Sequence, residues 1–74
     1  MTANYILALR LYIRRRAEKA RGGVVSVRIR DVCNGDKSCE YVITALMKSL
    51  IKKGVAQRRK QGVYLIEKSA LELI

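Results

Sequence analysis

The side chains that most often perform chemistry are scarce in this sequence. It has no His, which removes the commonest general base and the commonest imidazole metal ligand. Six carboxylates, Glu18, Asp31, Asp36, Glu40, Glu67 and Glu72, stand singly among basic residues, so none is paired for acid–base work. Gly22 and Gly23 are adjacent and no Gly-Lys-Ser/Thr follows, which leaves no phosphate-cradling loop. Cys33 and Cys39 supply two ligands where a structural zinc site needs four. The expectation is a protein that is not an enzyme, with no catalytic residue, metal, cofactor or evident small-molecule ligand.

What the chain has in excess is positive charge: sixteen Lys and Arg against six acids, a net +10 over 74 residues. A thermophile surface built from ion-pair networks would hold both signs in comparable numbers. Here the acids are too few to pair the bases, which points to a polyanionic partner, nucleic acid before an acidic membrane or protein. No Phe or Trp is present, and Tyr5 and Tyr12 read as core, so the interleaved aromatics of single-strand binders are missing. Duplex DNA is the expected ligand.

The elements that must position these charges fit one domain, 1–74. Half the residues are apolar, enough for a core and too many for a disordered tail. The charge-free run 1–9 is far short of the ~20 residues of a membrane span. Arg10 and the Arg14–Arg16 cluster follow the apolar stretch, the reverse of a signal peptide, so a cytoplasmic protein is expected. There is no Pro and no internal repeat. A first helix, within 1–21 and capped by Thr2 or Asn4, places Tyr5, Ile6, Leu9, Tyr12, Ile13, Ala17 and Ala20 on one face. Leu7 and Leu11 fall on the other side.

From Val24 to Arg30 two readings stay open. Val25, Val27 and Ile29 alternate with polar residues as in a strand. Alternatively Val24 and Val25 form a short strand and Ser26 caps a helix from Val27 to Cys33. The next helix is plainer. Ser38 is a plausible N-cap, Glu40 lies in the first turn, and Lys52, Lys53 and Gly54 mark the end. Cys39, Ile43, Leu46, Met47 and Leu50 make its apolar stripe, with Tyr41, Thr44, Ala45, Lys48, Ser49 and Lys52 opposite. A hairpin follows, Val55–Arg58 and Val63–Ile66, with Arg58, Arg59 and Lys60 at its tip and Gly62 in the turn. If Cys33 ends one helix and Cys39 begins the next, both face inward and close together. They then form a disulfide, contributing about 2 kcal/mol, or remain two buried thiols, the form a reducing cytosol favours.

The order helix, short strand, helix, turn, helix, basic hairpin resembles the winged helix-turn-helix domain. The similarity spans Val24 to Ile66 and rests on Leu46, Leu50 and the run KKGVAQRRKQGVYLIEK. The resemblance implies an α+β fold of three helices, a C-terminal hairpin wing and a short tail: first helix 1–21, helix-turn-helix 24–54, wing 55–67, tail 68–74. It favours the helical choice for Val27 to Cys33. It also implies that Tyr41, Thr44, Ala45 and Lys48 face bases while Lys52, Arg58, Arg59 and Lys60 meet phosphates. Neutralising ~6 phosphates would give a slope of log affinity on log salt of about −5.

Two features bear on assembly and class. Leu7 and Leu11, with Leu71, Leu73 and Ile74 of the tail, give more apolar surface than one small core covers, so a homodimer is expected. The competing arrangement folds the tail back over Leu7 and Leu11 in a monomer. The expected class is a transcriptional regulator or chromosome-associated protein. An RNA-binding accessory protein and a winged-helix protein adaptor are the alternatives.

Overall fold

In the computed structural model, which describes residues 2–74 with side-chain surroundings from Asn4 onward, the first element is helix α1, Thr2–Lys19. Its periodic stripe buries Leu9 and Ile13 completely and packs Tyr5, Tyr12 and Ala17 against the core. Asn4 lies inside the helix rather than capping it, and the side chain of Thr2 is outside the described residues. The helix closes where Ala20 N–H reaches Arg16 O, 2.9 Å away, just before the exposed Gly22-Gly23 pair.

The ambiguous stretch is a strand and a helix in succession: β1, Val24–Arg28, then α2, Ile29–Cys33. Val25 and Val27 are buried opposite Ile66 and Tyr64. Val27 therefore belongs to the strand, and Ser26 caps nothing. The helix starts at Ile29, preceded by Arg28 in extended backbone with no side-chain capping bond. A helix this short is marginal alone, whereas pairing with β3 from Val24 to Arg28 holds that stretch as a strand and buries Val25 and Val27, so the strand claims the disputed residues. Asn34, in the left-handed region at φ 51°, ends α2.

Helix α3 runs Lys37–Lys52 and is capped by Asp36, not Ser38. The Asp36 carboxylate accepts a hydrogen bond from Cys39 N–H at 3.1 Å. Asp and Ser cap about equally well, so the backbone decides: Asp36 is extended, at φ −72° and ψ 111°, while Ser38 already lies inside the helix. Cys39, Ile43, Met47 and Leu50 are buried, with Leu46 beside them.

Strands β2, Ala56–Lys60, and β3, Val63–Glu67, form the hairpin, with Gly62 at φ 78° in its turn. The sheet order is β1-β3-β2, antiparallel throughout. Helix α1 packs against β1 and α3 against β2, enclosing one core of Leu9, Ile13, Val25, Ile43, Met47 and Ile66. The tail is a 3-10 helix, Lys68–Leu73, that folds back on α1 and buries Ala70. Lys68 fixes its start, donating from N to Gly23 O at 2.8 Å and from Nζ to Ala20 O at 3.0 Å. The protein is thus α+β, helices on a three-stranded antiparallel sheet. Among the described residues no helix is long and apolar enough to cross a membrane.

Candidate nucleic-acid interface

Burying one stripe of α3 leaves its opposite stripe to solvent. Tyr41 is the most exposed large hydrophobic residue there, at 79%, with Ala45, Lys48 and Lys52 also exposed and Thr44 half-buried. Lys37, Glu40, Tyr41, Thr44, Ala45 and Lys48 line a shallow groove along this face. The four residues expected to face bases thus share one surface.

Arg58, Arg59 and Lys60 lie within strand β2, and the turn itself is Gln61-Gly62. The pairing is interrupted there: Arg58 opposes Tyr64, Lys60 opposes Val63, and Arg59 is the extra residue of a bulge. Without the bulge Arg58 and Lys60 would share a sheet face. With it, Arg58 takes the face of Tyr64 and Lys60 that of Val63, so the three cations fan around the strand. All three are exposed.

The sheet also recruits two bases that no local pattern marks. Val63 pairs with Arg28 on one side and Lys60 on the other. Ile29 N–H donates to Gly62 O at 2.9 Å, tying the start of α2 to the hairpin turn. Arg28, Arg30, Lys60 and Gly62 consequently line a second groove together with Glu40. Glu40 lines both grooves, so the face of α3 and the Arg28–Arg30–Lys60 cluster form one continuous surface. Only the strand register could have revealed this cluster, because Arg28 and Lys60 are far apart in sequence.

Very little of the charge is neutralised internally. Among the described residues one ion pair forms, Arg16 to Asp31 at 4.0 Å. Its partners are held by Tyr12, whose hydroxyl donates to Asp31 Oδ2 at 3.4 Å and accepts from Arg16 Nε at 2.8 Å. The Arg16 guanidinium also lies over the Tyr12 ring, 5.1 Å from its centroid. Among the described residues every other Lys and Arg lacks a carboxylate within ion-pair distance.

Two further groups of sequence-predicted residues fall outside this surface. Cys33 and Cys39 are joined in a disulfide, Cα atoms 5.5 Å apart, which clamps the end of α2 to the first turn of α3. Of the residues expected at a dimer seam, Leu7, Leu11 and Leu73 are about half exposed. Leu71 and Ile74 instead pack partly against the chain's own core. The tail covers α1 without burying Leu7 or Leu11.

Comparison of the chain with protein-family models, with characterised proteins and with solved structures finds no match. The functional reading stands on this geometry alone.

Proposed function

We propose that the protein is a winged-helix domain that binds duplex DNA. Helix α3 enters the major groove and the β2–β3 hairpin, as the wing, lies on the backbone. The element order supports the fold: α1, β1, α2, a tight turn, α3, then a basic hairpin pairing with β1. The observation that carries the function is the continuous surface through Glu40, which joins hydrogen-bonding side chains on α3 to cations on β1, α2 and the hairpin. A 16-residue helix is about 24 Å long, and the major groove, ~12 Å wide, admits one.

The roles divide by reach. Tyr41, Thr44, Ala45 and Lys48 meet base edges, where Thr44 and Lys48 donate hydrogen bonds and Ala45 and Tyr41 offer apolar contact to a thymine methyl. Lys52, Arg58, Arg59, Lys60, Arg28 and Arg30 meet phosphates, which fixes orientation and carries no sequence information. The protein acts as a transcriptional regulator or a chromosome-associated protein, according to how strongly α3 discriminates among sequences. The test is competition for a labelled duplex by unlabelled duplex DNA, single strands and double-stranded RNA of equal length at one salt concentration. Duplex DNA is expected to compete best. Equal or better competition by single strands or double-stranded RNA overturns the reading.

A further inference from the structure

We infer that the solvent face of α1 is a second phosphate-binding surface, with which one molecule holds a second duplex away from α3. The ligand's identity rests on the duplex-binding reading above; the site itself rests on α1.

Helix α1 carries Arg10, Arg14, Arg15, Arg16 and Lys19 against a single acid, Glu18. Cations in the last turn complement the helix dipole, which accounts for Arg16 and Lys19. It does not account for Arg10, Arg14 or Arg15, which lie earlier. Arg10–Arg14 and Arg15–Lys19 are i,i+4 pairs of like charge, an arrangement that destabilises a helix unless an anion intervenes. Glu18 makes no ion pair among the described residues. Arg16 is committed to Tyr12 and Asp31. Arg14, Arg15 and Lys19 are exposed and Arg10 is half-exposed.

These cations cannot serve the duplex on α3. Both helices turn their buried stripes, Leu9–Ile13 and Ile43–Met47, to one shared core. Their outer faces therefore point apart, separated by about two helix diameters, ~20 Å. Arg10 and Arg14 flank the exposed Leu7–Leu11 pair on one side, Arg15 and Lys19 on the other. From Arg10 to Lys19 the cations extend ~14 Å along the axis, about four steps of a strand carrying one charge per 3.4 Å. That length suits a regular polyanion better than one small anion. An anionic membrane is the weaker match, because an interfacial helix buries a broad apolar face. The broad apolar face of α1 is already spent on the core, leaving Leu7 and Leu11 alone.

The experiment measures complex mass with 12-bp duplexes in excess over protein at 150 mM salt, by native mass spectrometry and sedimentation. The wild type is expected to form a complex of one protein and two duplexes. The R10Q/R14Q/R15Q/K19Q variant, which keeps Arg16 and helix-forming side chains, should form only one-to-one complexes. Its affinity for the first duplex should change by less than about threefold, since exposed charges this far from α3 are screened at that salt. Its helical circular dichroism, compared with the wild type, reports folding. A wild type that forms only one-to-one complexes overturns the second surface and leaves the α3 reading standing. A complex of two proteins and two duplexes assigns bridging to self-association through Leu7 and Leu11 and also overturns it. Loss of all duplex binding defeats both readings. Binding of the wild type to phosphatidylserine vesicles without capture of a second duplex gives the face to a membrane instead.

Discussion

Reducing the Cys33–Cys39 bond is a perturbation whose size follows from the chain itself. The two residues are six apart in sequence, so the bridge closes a seven-residue loop. Loop-closure entropy for that length is about −8 cal/mol/K, or about 2.3 kcal/mol of stability at 25 °C. A domain of this size loses roughly 4–8 °C in Tm per kcal/mol, so reduction should lower Tm by about 9–18 °C. Reduction leaves both sulfur atoms in place, so no cavity confuses the comparison, as it would for Cys→Ala. The assay is thermal unfolding followed by circular dichroism, with and without a phosphine reductant at constant pH. The loop also contains Asp36, the cap of α3, and connects the two helices that set the reading face. Reduction should therefore weaken duplex binding as well as stability. A Tm change below about 3 °C refutes the reasoning. So does alkylation of two thiols in the unfolded, unreduced protein, which would mean that no bridge exists.

Other predictions follow from the interface and the core. If Lys52, Arg58, Arg59, Lys60, Arg28 and Arg30 all meet phosphates, log affinity falls with log salt at a slope of about −5. Changing Arg58, Arg59 and Lys60 together to Ala should flatten this to about −3 and weaken all sequences alike, measured by anisotropy titrations in the α1 variant. Thr44→Ala or Lys48→Ala should shift the ranking of sequences in a selection from random duplexes, and an unchanged ranking removes α3 from base contact. Asp36→Ala should cost about 1 kcal/mol in urea unfolding, because Cys39 N–H loses its acceptor. Ile43→Ala, at the fully buried centre of α3, should cost about 2–5 kcal/mol in the same assay.

The parts legible in the sequence were those with their own periodicity. The stripes of α1 and α3 and the Gly62 hairpin turn need no partner to declare themselves, and each occurs where spacing placed it. The stretch from Val24 to Cys33 could not be divided locally. Its deciding partner, β3, lies some forty residues on, and pairing rather than propensity ends the strand at Arg28. Choosing Ser38 over Asp36 as a cap failed for a related reason, since both are good cap residues and only the exit from Gly35 decides between them. Asp36 is held further by the Tyr5 hydroxyl, which donates to its other oxygen at 3.5 Å. The Arg28–Arg30 contribution to the candidate site was hidden because it exists only once β1 lies beside β3.

The bulge at Arg59 has a consequence for solubility. Strand β2 is an edge of the sheet, with half of its backbone N–H and C=O groups unpaired and open to addition of another strand. Irregular hydrogen bonding and three successive cations make that edge a poor template, since a second copy would bring like charges together along a kinked strand. The side chains that would grip phosphate thus also guard against edge-to-edge aggregation. Replacing all three by Ala removes the guard together with the grip, and such a variant should precipitate sooner than the wild type on concentration or heating. A saturating polyanion would mask the same charges from within the complex, so a bound wing should be shielded by its ligand where a free one is shielded by repulsion.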